Sequence, residues 1–147
     1  MDTVDELTRS SIMSHVRGKD TTPELLVRKA LHKRGFRYRL HVKHLPGSPD
    51  IVFPKHKAVI FIHGCFWHRH GCHMSTTPKT RHNFWQEKFD SNVARDRAAK
   101  RILLLSGWRV LVIWECSLKG KNKLSIETVI EKTTTWLMSK APEQQIP

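Results

Sequence analysis

One stretch of the chain, IHGCFWHRHGCH from Ile62 to His73, constrains the fold more than any other. It holds four histidines, two cysteines and two large aromatic residues within twelve positions. Its residues neither alternate as in a strand nor repeat as in an amphipathic helix. Such a segment requires a special role, as a metal site, a catalytic site or an apolar wedge for a flat ligand.

The segments around this stretch predict a sheet. AVIFIH, which overlaps its start, and WRVLVIWE, later in the chain, are strong strand patterns, and FRYRLHV and DIVF are weaker ones. Helices are predicted after Thr22, from Asn83 to Gly107, and after Ser125, from capping signals and apolar spacing. The sequence therefore predicts an α/β fold, with a small mixed β-sheet flanked by helices.

The length of 147 residues suits one domain spanning 1–147, and we expect flexible ends at about 1–8 and 141–147. The chain has 26 Lys and Arg residues against 13 Asp and Glu, a net charge of +13. Such an excess favours a polyanionic partner, either nucleic acid or an anionic membrane surface. No signal peptide and no apolar run long enough to span a bilayer occurs, so we expect a cytoplasmic, nucleoid-associated protein.

The cysteines indicate a metal site. Cys65, Cys72 and Cys116 are odd in number, which argues against a disulfide framework. Cys65 and Cys116 each follow a predicted strand, so two strand ends of one sheet could bring the three thiols together. Three thiolates and one imidazole form a closed tetrahedral zinc site, although the spacing does not choose the histidine.

A possible magnesium site lies before this stretch. Pro49 and Asp50 lead into DIVF, a tight turn and AVIFIH, which is the outline of the hairpin in PD-(D/E)xK nucleases. The acids of that hairpin hold Mg²⁺ for attack on a phosphodiester. The second acid and the lysine are absent here, where the strand ends in Phe61, Ile62 and His63.

The aromatic residues suggest contact with DNA bases. Phe66 and Trp67 lie between the candidate ligands, and a loop fixed by a metal would hold them outward. Trp85 lies at the start of the long predicted helix. Apolar side chains that enter a base step unstack and kink a duplex, and exposed aromatic rings stack on bases.

Taken together, these features resemble the very short patch repair (Vsr) family of mismatch endonucleases. The resemblance rests on five motifs: TRSSIMSHVRGKDTTPE, LPGSPDIV, AVIFIHGCFWHRHGC, TRHNFWQEKFDSNVARDR and GWRVLVIWEC. They cover most of the chain, from Thr8 to Cys116.

The resemblance implies a restriction-endonuclease-like fold with one structural zinc. It implies Mg²⁺-dependent nicking of one DNA strand 5′ to the thymine of a T:G mismatch, which arises when 5-methylcytosine is deaminated. The expected partner is double-stranded DNA, with a functional link to a cytosine-5 DNA methyltransferase. Because a single nick needs one active site, we expect a monomer.

The site residues that the resemblance implies fall into three groups. The zinc ligands would be Cys65, His70, Cys72 and Cys116. The catalytic group would be Asp50 as magnesium ligand, His63 and His68 as catalytic histidines, and Glu24 as the acid paired with His68. The residues entering or contacting DNA would be Phe66, Trp67, Trp85 and Met13.

One position departs from the family pattern. Ile62 stands where the family has threonine, and its main-chain carbonyl would serve as a magnesium ligand. A role of the threonine hydroxyl would be lost. Ile62 could therefore mark one alternative to the endonuclease, a non-catalytic zinc-stabilised DNA-binding module. A second alternative is a restriction endonuclease that cuts matched DNA, against which the aromatic residues argue, because a paired base stack costs more to open than a mismatched one.

Overall fold

Five strands form one open, mixed sheet in the order β1–β2–β3–β4–β5. In this computed structural model, which describes residues 21–147, the strands are β1 (Arg39–Leu40), β2 (Ile51–Phe53), β3 (Ala58–His63), β4 (Arg109–Trp114) and β5 (Glu143–Ile146). Strands β1 to β3 pair antiparallel, and β3 to β5 pair parallel. The predicted mixed sheet is confirmed. Met13 lies outside the described residues.

In the described part of the chain, four helices cover the two faces of the sheet: α1 (Thr22–Lys33), α2 (Cys65–His68), α3 (His82–Leu105) and α4 (Ile126–Leu137). Short 3₁₀ turns follow β2 and β4, at Pro54–His56 and Glu115–Ser117. Since strand side chains alternate between faces, β3 sends Ile60 to α1 and α4, and Phe61 to α3. The long helix α3 therefore lies on the same face of the sheet as His63.

The chain's end is ordered into the sheet. The segment 141–147 was predicted to be flexible, but Glu143–Ile146 pairs with β4 as an edge strand. Its first three residues are exposed and polar, and only Ile146 is buried. The pattern EQQI therefore lacks the apolar alternation by which a strand is recognised in sequence.

Of the three helices predicted from sequence, two begin with a side-chain cap. Thr21, one residue before the predicted cap, accepts a hydrogen bond from the backbone N–H of Glu24, and Ser125 accepts one from that of Thr128. The capping box predicted at Asn83 does not form. Helix α3 begins at His82 after Arg81, which has left-handed backbone geometry (φ 56°) and gives no side-chain cap.

A close backbone contact holds the loop before β2 against α3. Gly47 has φ +74°, and a Cβ there would lie 2.9 Å from the Cβ of Ala99 and 3.1 Å from the ring of Phe61. Only glycine fits this approach without a shift of its neighbours. The contact brings the loop that leads to Asp50 close to α3.

Within residues 21–147, no helix combines the length and apolar character that crossing a membrane requires.

Candidate active site and metal centre

The site forms where β3 and β4 end. These strands are parallel, so their carboxyl ends meet at the same edge of the sheet. Helix α2 follows β3 after one residue, and the turn Glu115–Ser117 follows β4 directly. Residues far apart in sequence therefore converge on one edge.

Four side chains at this edge form a donor group suited to zinc: Cys65, His70, Cys72 and Cys116, whose ligand atoms lie within 4.8 Å of one another. The Nδ1 atom of His70 lies 3.6 Å from the Sγ of Cys65 and 3.4 Å from the Sγ of Cys116. A tetrahedral ion with ordinary Zn–S and Zn–N bonds separates sulfur and nitrogen ligands by about 3.5 Å. The four residues predicted as ligands therefore come together with spacing that fits zinc.

Protonation of these thiols depends on what binds them. Burial raises the pKa of Cys65 to about 12 and also raises the pKa of Cys116. Without a cation the two buried thiols are protonated at neutral pH, and binding of a metal would release their protons.

A second cluster joins two histidines and an acid from α3. The rings of His63 and His68 stack at 3.8 Å with an interplanar angle of 5°. The Nδ1 atom of His68 lies 2.6 Å from the Oδ2 atom of Asp96. Burial, with the adjacent His68 ring, lowers the pKa of His63 to about 3, so His63 is neutral at neutral pH.

The acid beside His68 differs from the one expected. Glu24 was predicted to pair with His68, and the structure corrects this pairing, because Asp96 occupies that position. Glu24 extends from α1 and belongs to a group of possible donors with His41 and Asp50, whose ligand atoms lie within 4.8 Å of one another. There it contacts Arg28 and His41 instead, at 2.8 and 3.0 Å.

A third cluster surrounds Asp50. Its Oδ2 atom accepts a hydrogen bond from the N–H of Ile62 at 2.7 Å, and its Oδ1 atom lies 3.9 Å from the Nδ1 of His41. Burial raises the pKa of Asp50 from 3.8 to about 7. The amide of Ile62 lowers it, the Glu24 carboxylate raises it and His41 lowers it. A carboxylate in this position gains from a bound cation, which would offset the loss of solvent.

The second and third clusters open into one cavity of about 500 Å³ between the sheet and α3. Asp50, His63, His68 and Asp96 line it, with the basic side chains of Arg97 and Lys100 from α3. Carboxylate, imidazole and basic side chains therefore face one cavity that is large enough to hold a phosphate group of DNA.

Trp114 connects the cavity with the group of four candidate metal donors. Its indole ring stacks on His70 at 4.3 Å and meets His63 edge-on at 5.3 Å. The Nε1 atom donates a hydrogen bond to the Oε1 of Gln145 at 2.8 Å. Strand β5 thus fixes a ring that touches residues of both groups.

Aromatic rings gather beside the cavity, on α2 and the first turns of α3. We call Phe66, Trp67, Phe84, Trp85 and Phe89 the aromatic cluster. Phe66 contacts Trp67, Trp85 and Phe89 with ring centroids 5.1–5.9 Å apart. Phe66 and Trp67 were predicted to point outward but are half-buried, and Trp85 is only 6% exposed. Phe84, which the sequence did not single out, is 45% exposed.

Three contributors were not found from sequence. Asp96, His41 and Phe84 lie within the segments already quoted, but no spacing rule connects them to the site. The position of Asp96 depends on how helix α3 packs on the sheet, and the position of His41 depends on the path of the loop after β1. Their roles follow from tertiary contacts alone.

Comparison with known proteins identifies the family. The model of the family described as DNA mismatch endonuclease Vsr matches residues 1–74. The DNA mismatch endonuclease Vsr of Escherichia coli K12 is 41% identical over 145 residues, which cover 99% of this chain and 93% of that protein. The chain belongs to the Vsr family. The resemblance found in the sequence is confirmed.

Other relatives of this Vsr-family chain carry the name type II nicking enzyme. V.XorIIP of Xanthomonas oryzae pv. oryzae is 49% identical over 116 residues, covering 79% of this chain and 85% of that protein. V.NmeAIP of Neisseria meningitidis serogroup A is 48% identical over 113 residues, covering 77% and 81%.

Proposed function

We propose that this chain is a strand-specific DNA mismatch endonuclease that nicks 5′ to the thymine of a T:G pair left by deamination of 5-methylcytosine. Membership of the Vsr family and the names of its relatives support an endonuclease acting on DNA. The observation that carries the proposal is the shared cavity, in which Asp50, the two stacked histidines and Asp96 face basic residues of α3.

His68 is the general base in this proposal. Asp96, 2.6 Å from Nδ1, holds the proton on that nitrogen and leaves Nε2 free to take a proton from water. The acid also stabilises the imidazolium that forms. In this proposal Asp96 therefore takes the role that the family resemblance implied for Glu24.

His63 has a different role because it is neutral. With its pKa lowered to about 3, it adds no positive charge at neutral pH. A neutral imidazole can still donate one hydrogen bond, and we propose that it donates to an oxygen of the scissile phosphate. Its stacking on His68 keeps both rings in a fixed relative position.

Asp50 and the main-chain carbonyl of Ile62 would hold Mg²⁺. A strand residue directs its N–H and C=O to the same neighbour, so the hydrogen bond from Ile62 N–H to Asp50 supports a carbonyl facing the same side. Oxygen donors suit this cation, which when bound would neutralise phosphate charge and acidify water. Glu24 and His41 hold the Asp50 carboxylate in position.

Cys65, His70, Cys72 and Cys116 would hold a structural Zn²⁺, and the hairpin of β2 and β3 suits a restriction-endonuclease-like fold within a single domain. The donor chemistry and spacing support zinc over a hard cation. The ion would join the end of β3 to the end of β4.

Recognition of the mismatch is assigned to the aromatic cluster. Phe66 and Trp67 are half-exposed and would enter the base stack, with the buried Trp85 supporting them from behind. A mismatched step opens at lower cost than a paired one, so insertion favours T:G. The net charge of +13 supports the backbone contacts that bring DNA to the cavity. We propose that one chain acts alone and serves sites of a cytosine-5 methyltransferase.

The test is a nicking assay on a labelled T:G duplex with randomised flanking bases, with T:A duplexes of the same sequence as controls. We expect a magnesium-dependent nick 5′ to the mismatched thymine and no cut in T:A DNA. Binding without a nick would favour the non-catalytic DNA-binding module. Equal cutting of T:A DNA would favour a restriction endonuclease.

A further inference from the structure

The Arg69 guanidinium is occupied by oxygens of its own chain, although the proposed function gives this strongly basic chain a DNA partner. Its guanidinium donates four hydrogen bonds: from Nη1 to the main-chain oxygens of Phe66 (3.2 Å) and Thr76 (2.8 Å), and from Nη2 to the main-chain oxygen of Ser75 (3.1 Å) and the hydroxyl of Thr77 (2.7 Å). The guanidinium carbon lies 4.0 Å from the ring centroid of Phe89.

These contacts join three separate segments. Phe66 belongs to helix α2, Ser75 to Thr77 belong to the loop after the metal donors, and Phe89 belongs to α3. A planar guanidinium with its fixed fork of donors suits such a junction, and a lysine ammonium cannot reproduce it. Asn92 adds a second anchor, since its Nδ2 donates to the main-chain oxygen of Trp67 at 3.1 Å.

We propose that Arg69 is a positioning residue that holds α2, with Phe66 and Trp67, in the geometry for insertion before DNA binds, and thereby sets the preference for mismatched DNA. This inference rests on the proposed function, in which the two rings enter the base stack.

The physical reason is preorganisation. Ordering a side chain or a short segment on binding costs free energy, and an element that is already fixed avoids that cost. If α2 were not held in place, its two aromatic rings could stay outside the duplex. The protein would then gain no binding free energy from the ease with which a mismatched base step opens. Loss of order should therefore weaken binding and cutting of T:G DNA more than contact with T:A DNA, which does not open.

A direct contact between Arg69 and a DNA phosphate is the competing interpretation. Both terminal nitrogens already donate to protein oxygens, which makes that contact less favourable. Both arginines line the cavity, but Arg97 is exposed whereas Arg69 is half-buried. The two interpretations predict different behaviour of a lysine in place of Arg69.

The experiment compares Arg69→Lys and Arg69→Gln with wild type and with Arg101→Lys, an exposed arginine on α3. The readouts are the ratio of kcat/KM for T:G over T:A duplexes, 2-aminopurine fluorescence beside the mismatch, and hydrogen exchange of residues 64–77 without DNA. In both Arg69 variants we expect the ratio of kcat/KM for T:G over T:A duplexes to fall at least about tenfold (about 1.4 kcal/mol). The fluorescence change that reports unstacking of the 2-aminopurine should be smaller, and the backbone amides of residues 64–77 should exchange faster. Arg101→Lys should match wild type.

Three results would overturn the proposal. Arg69→Lys could keep the ratio while Arg69→Gln loses affinity and has a shallower salt dependence, which is the behaviour of a phosphate contact. Hydrogen exchange of the segment could stay unchanged. Thr77→Val, which removes one acceptor and leaves the metal donors intact, could leave the ratio at the wild-type value. A wild type that does not prefer T:G would instead refute the proposed function.

Discussion

Replacing Asp50 by asparagine should stabilise the protein at alkaline pH while abolishing nicking. Burial raises the pKa of Asp50 from 3.8 to about 7. The N–H of Ile62 and the ring of His41 lower this pKa, and the Glu24 carboxylate raises it. Because the folded pKa lies above the unfolded one, protonated Asp50 favours the folded state. That contribution is complete below about pH 4 and is lost as the pH rises to about 7. A shift of this size corresponds to about 4 kcal/mol at most.

The assay is urea denaturation followed by circular dichroism at pH 5 and pH 8, with no added magnesium, for wild type and Asp50→Asn. The charged groups facing Asp50 are Glu24, which pairs with Arg28, and His41, and both proteins retain them. We expect the advantage of the variant to grow by about 2.5 kcal/mol between the two pH values. Asp90→Asn, on the exposed face of α3, is the matched control.

A gain that is equal at pH 5 and pH 8 would refute this reasoning, because only an ionised Asp50 destabilises the fold. Magnesium provides a second check. Since a cation that binds only the folded state stabilises it, adding Mg²⁺ at pH 8 should stabilise wild type and leave Asp50→Asn unchanged. Stabilisation of both proteins would mean that the cation binds elsewhere.

Three further predictions concern the candidate zinc donors, the contact between His68 and Asp96, and strand β3. The Cys116→Ala variant should lose zinc and unfold, since the substitution removes one of four candidate donors. A folded Cys116→Ala variant with one bound zinc ion per chain would contradict this prediction. Asp96→Asn should lower single-turnover nicking by about a hundredfold or more with T:G binding kept, and a normal rate would exclude the pairing with His68 as the base. Ile62→Thr should change the nicking rate by less than about tenfold, because the contact with Asp50 is made by the main-chain N–H, which threonine retains. The same substitution should lower the free energy of unfolding by about 1 kcal/mol, because the Ile62 side chain packs against the core. A large gain in rate would show that the hydroxyl matters.

Sequence patterns predicted the parts of the fold that hydrophobic burial decides. The runs around Ile60 and Leu111 became the central strands β3 and β4, because both are buried on two faces. Ser125 caps α4 through a local contact that needs no tertiary information. The short strand β5 was missed because its pairing with β4, and not its polar side chains, keeps it in the sheet.

The approach of the three thiols was predictable from sequence, and the contacts of the two stacked histidines only in part. Cys65 and Cys116 follow strong strand patterns, so parallel pairing alone brings them together. The partner of His68 depends on how α3 lies across the sheet. This arrangement places Asp96, which is 28 residues further along the chain, beside His68. No local pattern carries that information, and the pairing with Glu24 was an expectation from the family resemblance alone, whereas His68 contacts Asp96 in the structure.

The donor group has a consequence for the unfolded chain. Cys65 and Cys116 belong to one group but are separated by the loop and the whole of α3. A metal held between them would act as a cross-link that closes a loop of about 50 residues, which corresponds to about 4 kcal/mol of chain entropy. Metal supply would then set the number of folded copies rather than the rate at which each copy cuts. A cell short of zinc would lose this activity through degradation of unfolded chains, while every folded molecule that remained would work at full speed.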